Sequence, residues 1–169
     1  AYVDFGAESA ISLIEKYENL LVVQTSSKSR SLAGMRIGYA FGSETLISTL
    51  EAVKNSYNSY TMDSLALAVG EASIRDEAYF RETCRKVAAT RDRAADELRA
   101  LGFEVTPSLA NFLFATHPQK AAPEIFSALR EKGIFIRYFK LPRIDNHLRI
   151  TVGTDEQMDA LIAALQQIL

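Results

Sequence analysis

Apolar residues recur along this chain in two rhythms, short uninterrupted runs and steps of three and four. Residues 20–25 and 37–41 are short runs free of proline and charge, and each predicts a β-strand. Between them, residues 26–35 are polar, serine-rich and contain Gly34, which predicts a loop with room for one helical turn. Ahead of the first run, Ile11, Leu13, Ile14 and Tyr17 predict a short helix over residues 9–17, stopped at Asn19. After the second run, Ser43 is placed to cap a helix carrying Leu46, Ile47, Leu50 and Val53.

A polar, tyrosine-containing stretch at residues 55–61 predicts a break, and a domain boundary is expected just after it, giving residues 1–62 and 63–169. Asp63 caps a helix through Leu65, Ala68, Val69 and Ala72. Beyond Asp76, the residues Phe80, Cys84, Val87, Ala94, Leu98 and Leu101 share one helical face, which Gly102 terminates. Residues 103–106, 112–115, 134–138 and 147–152 predict further strands. Pro123 opens a helix through Ile125, Phe126 and Leu129 that ends at Gly133. Thr154 and Gln157 form a capping box ahead of a stripe of Met158, Leu161, Ile162, Leu165 and Leu169. The mixture predicts an α/β fold in which the second domain is a small α+β unit.

Composition narrows the possible partners. The formal net charge of -2 supplies no basic field for nucleic acid, and no apolar run is long enough to span a membrane. No basic leader precedes an apolar segment, so no signal peptide is expected. A single cysteine, Cys84, rules out an intrachain disulfide and fits a reducing cytoplasm; its helical spacing predicts a core position. With His117 and His147 far apart and no H-x-x-x-H pair, no metal site is expected, and no nucleophile elbow supports a serine triad. The first residues, Tyr2-Val3-Asp4-Phe5, read as the tail of a strand and its exit turn, so the chain is expected to begin within an element.

The segment richest in chemistry is Thr25-Ser26-Ser27-Lys28-Ser29-Arg30-Ser31-Leu32-Ala33-Gly34-Met35-Arg36-Ile37-Gly38. Hydroxyls and free backbone N–H groups after a strand suit a phosphate, and an arginine adds charge-assisted bonds to it. A lysine beside such a site serves as an amine nucleophile. The G-x-x-x-x-G-K order of a nucleotide-phosphate loop is absent. On chemistry alone the segment reads first as a solvated basic loop, and Arg149 as a surface arginine in a salt bridge.

The same segment resembles the cofactor-lysine motif of class I/II aminotransferases of fold type I, S-K-x-x-x-L-A-G-x-R-x-G. It matches at Ser27, Lys28, Leu32, Ala33, Gly34, Arg36 and Gly38. The resemblance implies pyridoxal 5'-phosphate held covalently on Lys28, with Thr25, Ser27 and Arg36 at its phosphate. Ala1-Tyr2-Val3-Asp4-Phe5 resembles the end of the family's D-E-A-Y-x-x-F stretch, which puts Tyr2 at the cofactor's phenolic oxygen. The aspartate that pairs with the ring nitrogen would lie before Ala1. Leu148-Arg149-Ile150-Thr151-Val152-Gly153-Thr154 resembles the L-R-I-[ST]-x-G-T signature, whose arginine grips a substrate carboxylate.

A second arginine in Gly133-Ile134-Phe135-Ile136-Arg137, with Ser108-Leu109-Ala110-Asn111-Phe112, is similar to the histidinol-phosphate aminotransferases. There both arginines reach the anionic end of the substrate, which implies substrate roles for Arg137, Arg149 and Asn111. Ser56 stands where that group carries the proline of a P-Y-N segment. Relatives on the same scaffold accept aromatic amino acids, aspartate or phosphothreonine. The resemblance implies an amino donor, an oxo-acid acceptor and a homodimer, and it covers the C-terminal part of the family's chain. Residues 1–62 are thus expected to be an incomplete cofactor domain. The 169 residues alone are expected to lack turnover or to persist as a non-catalytic folded piece.

Overall fold

The two apolar runs pair with each other in the computed structural model, which describes residues 1–169. β1 (Val22–Thr25) and β2 (Gly38–Phe41) form an antiparallel ribbon, with Val22 opposite Phe41 and Thr25 opposite Gly38. Gly38 allows the close approach, since a Cβ there would lie 3.3 Å from the Gln24 carbonyl oxygen. The loop between the strands carries one 3-10 turn, Ala33–Met35. The helix predicted at residues 9–17 shrinks to a 3-10 turn, Ala10–Leu13. So short a segment gains too few hydrogen bonds to offset helix nucleation.

Ser43 Oγ accepts the Leu46 N–H and starts α1 (Glu44–Tyr57). The helix runs into the predicted polar break, because the hydroxyl of Ser56 bonds back to the Ala52 carbonyl and is satisfied inside it. Asp63 accepts the Ala66 N–H at 2.7 Å and starts α2 (Ser64–Arg75), which is followed by α3 (Glu77–Ala100). α2 buries Ala66 and Gly70; a Cβ at Gly70 would lie 2.9 Å from Ile37 Cδ1, so the glycine seats the helix on β2's entry.

Contacts divide the chain into two units, Ala1–Cys84 and Arg85–Leu169. The division falls inside α3, beyond the boundary predicted at residues 62 and 63, because α2 packs on Ile37 and stays with the first unit.

The second unit holds a four-stranded antiparallel sheet of β3 (Glu104–Thr106), β4 (Phe112–Thr116), β5 (Arg137–Tyr138) and β6 (Leu148–Thr151), in the order β3-β4-β6-β5. Leu113, Ala115, Leu148 and Ile150 point from one face of the sheet. They meet Ala94 and Leu98 of α3, Ile125 and Leu129 of α4 (Ala122–Glu131), and Met158, Leu161 and Leu165 of α5 (Asp155–Ile168). All are buried and make a single apolar core. The strand predicted at residues 134–138 is only two residues long. Gly133, at φ +77°, is still ending α4, and the Ile134 N–H bonds back to the Leu129 carbonyl. Leu169, expected in the buried stripe of α5, is exposed at the helix's C-cap.

Candidate functional site

The hydroxyls of Thr25 and Ser27 are engaged at the exit of β1. Thr25 Oγ1 lies 2.9 Å from Ser27 Oγ, accepts the Ser27 N–H at 3.1 Å and reaches the Ile37 carbonyl at 3.1 Å. Buried Ser26 locks the loop from inside, donating its N–H to Ile37 and accepting from Leu32. This leaves Lys28 at an exposed turn, with its carbonyl accepting the Ser31 N–H at 3.1 Å. Arg36 sits in the left-handed region at φ +55°, exposed, its Nη1 donating to the Ala33 carbonyl at 2.8 Å. A non-glycine residue in that region is held there by its surroundings at a cost of about 1 kcal/mol. Tyr2, half-buried, caps the turn Val3–Phe5, and this turn is tied to the loop by Ser29 Oγ donating to Asp4 Oδ2 at 2.5 Å. Thr25 and Ser27 are thus bonded to each other, the Tyr2 turn is bonded to the same loop through Ser29, and Lys28 and Arg36 are exposed on that loop. It combines paired hydroxyls, an exposed amine and an exposed guanidinium, a donor set suited to a phosphate and a carbonyl compound.

Arg30 was not singled out by the sequence, yet it anchors this loop. Its guanidinium lies 3.9 Å from the Phe80 ring centre and donates to the Ser73 carbonyl. A cleft of about 330 Å3 opens beside it, lined by Arg30, Ser73, Asp76, Tyr79 and Phe80 among others. The partners of Arg30 lie on α2 and α3, far along the chain, so no local pattern could have pointed to them. Cys84 is buried as predicted. Burial pushes its thiol pKa up, the Asp4 carboxylate adds to this and Arg30 opposes it, which makes it a weak nucleophile.

In the second unit, Arg137 on β5 lies directly opposite Arg149 on β6, and Arg149 opposite Phe114 on β4. Opposed residues of antiparallel strands share a face, so both arginines stand with Phe112 and Phe114 on the side of the sheet away from the core. The Arg149 guanidinium lies 4.4 Å from the Phe112 ring centre, and that of Arg137 5.2 Å from Phe139. Arg149 Nε is buried without a hydrogen-bond partner. The one carboxylate among the strand residues on this face, Glu104, sits on the outer strand β3, opposite Thr116. The alternative for Arg149, a surface salt bridge, is therefore not what the strand register builds. Two guanidinium groups on one sheet face, neither with a carboxylate partner, attract an anion. Asn111 is half-buried at the start of β4 and accepts the Val152 N–H at 2.9 Å through its carbonyl. Ser108 shapes that entry by donating to the Phe112 carbonyl at 2.6 Å. No group of three His, Cys, Asp or Glu residues is placed to hold a metal ion.

Residues 1–165 match the family model described as Aminotransferase class I and II. A histidinol-phosphate aminotransferase 2 of Dechloromonas aromatica (strain RCB) is 60% identical over 168 residues, covering 99% of this chain and 47% of the relative. A histidinol-phosphate aminotransferase of Marinomonas sp. (strain MWYL1) is 58% identical over 168 residues, with 98% and 48% covered. The chain thus spans about half the length of the curated relatives it matches. Among solved structures, the histidinol-phosphate aminotransferase of Sinorhizobium meliloti in complex with pyridoxal-5'-phosphate superposes with a TM-score of 0.85 at 29% identity, over 99% of this chain and 46% of that one. The histidinol-phosphate aminotransferase of Clostridium acetobutylicum, at 20% identity, shares the fold with a TM-score of 0.90 over 99% of this chain and 52% of that one. The expected fold type I architecture, in its C-terminal part, is the one found.

Proposed function

Because the chain belongs to the class I and II aminotransferase family, we propose that it supplies the cofactor lysine and the substrate-anion grip of a pyridoxal-phosphate-dependent transaminase. Its amino donor and acceptor are histidinol phosphate and 2-oxoglutarate, with glutamate as the other product. The observation that carries this reading is the unpaired arginine couple, Arg137 opposite Arg149 on one sheet face. Histidinol phosphate ends in a phosphate and glutamate in carboxylates, and two guanidinium forks serve either.

The residues divide the work. The hydroxyls of Thr25 and Ser27 and the guanidinium of Arg36 hold the cofactor phosphate, and the Tyr2 hydroxyl bonds its phenolic oxygen. The Lys28 amine would hold the cofactor at its carbonyl carbon and, once free, would take a proton from the substrate carbon that bears nitrogen. Pyridoxal phosphate, when bound, supplies an electron sink for the pair left on that carbon. Arg137 and Arg149 fix the far end of the substrate, and Asn111 lines the approach, so that the carbon to be deprotonated is held against Lys28. The first unit acts within the large cofactor domain and the second within the small one, in a cytoplasmic homodimer.

Trapping with borohydride in the presence of pyridoxal phosphate tests the lysine. The chain is expected to take up one reduced cofactor at Lys28, and Lys28→Ala to take up none there and to lose the visible absorbance band. Equal labelling of the variant would overturn the assignment. In the whole enzyme, turnover of aromatic amino acids in preference to histidinol phosphate would overturn the substrate reading alone.

A further inference from the structure

We infer that His147 is a third anion donor on the arginine face and makes it selective for a phosphate over a carboxylate. The inference rests on the anion site proposed above and names a residue that neither the motifs nor the arginine pair include.

His147 directly precedes β6 and stands two residues before Arg149, so its side chain emerges on the same face, about 7 Å along the strand. Its ring stacks on Phe114 with centroids 4.7 Å apart and planes 10° from parallel. Neighbouring rings of β4 thus carry neighbouring polar groups of β6: Phe112 under Arg149, and Phe114 under His147. The approach to β6 is pinned as well. The His147 N–H bonds to the Ile144 carbonyl at 3.0 Å, and Asn146 bonds both the Ala122 N–H and the Thr116 hydroxyl. The imidazole is therefore held in one orientation before any ligand arrives.

That orientation decides which nitrogen acts. Nδ1 is buried and has no hydrogen-bond partner, whereas Nε2 is not buried. A neutral imidazole carries one N–H, and burying it without an acceptor costs more than burying a lone pair. The neutral ring therefore keeps its proton on Nε2, at the accessible edge. His147 thus presents one fixed donor on the face that carries Arg137 and Arg149. A carboxylate has two oxygens, which the forks of Arg137 and Arg149 suffice to bond. A phosphate monoester has three terminal oxygens and gains from the third donor.

The test uses this chain with inorganic phosphate and acetate as probes, followed by NMR titration of the wild type and of His147→Phe, His147→Gln and Arg149→Gln. Phenylalanine keeps the stack on Phe114 without a donor, and glutamine keeps a donor without the ring. Thermal denaturation of each variant verifies folding. The expected result is a loss of phosphate affinity of threefold or more in His147→Phe, with acetate changed less than twofold, and partial recovery in His147→Gln. Arg149→Gln is expected to weaken both anions about tenfold. Equal losses for phosphate and acetate in His147→Phe, or no loss, overturn the role of His147 and leave the arginine pair standing. Unchanged binding in Arg149→Gln, or no phosphate binding by the wild type, overturns the anion site and this inference with it.

Discussion

At the scale of single residues, Arg149 shows what a linear pattern reveals and what it hides. Its motif marks it, but its meaning depends on facing Arg137, and that depends on strand register across a long connection. Replacing Arg149 with glutamine removes the charge and the guanidinium's position over Phe112 while leaving the sheet's core face intact. We expect its effect on KM for both substrates of the whole enzyme to exceed its effect on melting temperature. Gly102 is legible in a different way. At φ +90° and with His117 Nε2 only 3.1 Å from where a Cβ would be, it terminates α3 by using a conformation open mainly to glycine. Gly102→Ala is expected to destabilise the second unit by roughly 1–2 kcal/mol in urea denaturation. Arg30 had no such signature, because its partners Phe80 and Ser73 become neighbours only after the chain folds.

At the scale of elements, the helix starts were the most legible feature. Ser43, Asp63 and Thr154 each cap where short polar residues precede an apolar stripe. Both hydrogen bonds of the Thr154–Gln157 box are formed, and Thr154→Ala is expected to cost about 1 kcal/mol. Less legible was the way α5 is tied to α3. Thr90 Oγ1 donates to Asp155 at 2.8 Å, and Arg93 reaches Asp155, Asp159 and Glu97 together. The Thr90 hydroxyl first, and the Arg93 guanidinium second, hold the Asp155 carboxyl below its ordinary range. A lowered folded pKa means that this contribution is full above the unfolded value, near 4, and is lost as pH falls through the folded one. Thr90→Ala should therefore lower stability at neutral pH and change it little well below about pH 4, so that the decline on acidification is shallower than in the wild type, as read by urea denaturation across pH. The short β5 escaped prediction for the opposite reason. Its apolar run was plain, but the cap of α4 uses its first residues.

At the scale of the molecule, the two units differ in how well they are filled. The apolar core lies wholly in the second unit. In the first, Tyr57 and Tyr60 are more than 90% exposed, Val23, Val53 and Leu65 more than 60%, and α1 buries no residue at all. The ribbon of β1 and β2 has only two strands, which is marginal for independent stability. Hydrogen exchange is expected to separate the units, with amides of β4 and β6 protected far longer than those of β1 and β2. Similar protection in both would contradict it. The α/β class was legible in the rhythm of apolar positions, but this imbalance was not, since periodicity shows which face is apolar and not what covers it. The imbalance bears on how long such a chain survives in a cell. Chaperones and proteases act on uncovered apolar surface and loosely held strands, so abundance here is governed by whatever shields α1 and the ribbon. A substitution on that surface would change the protein's lifetime while leaving Lys28 and both arginines untouched.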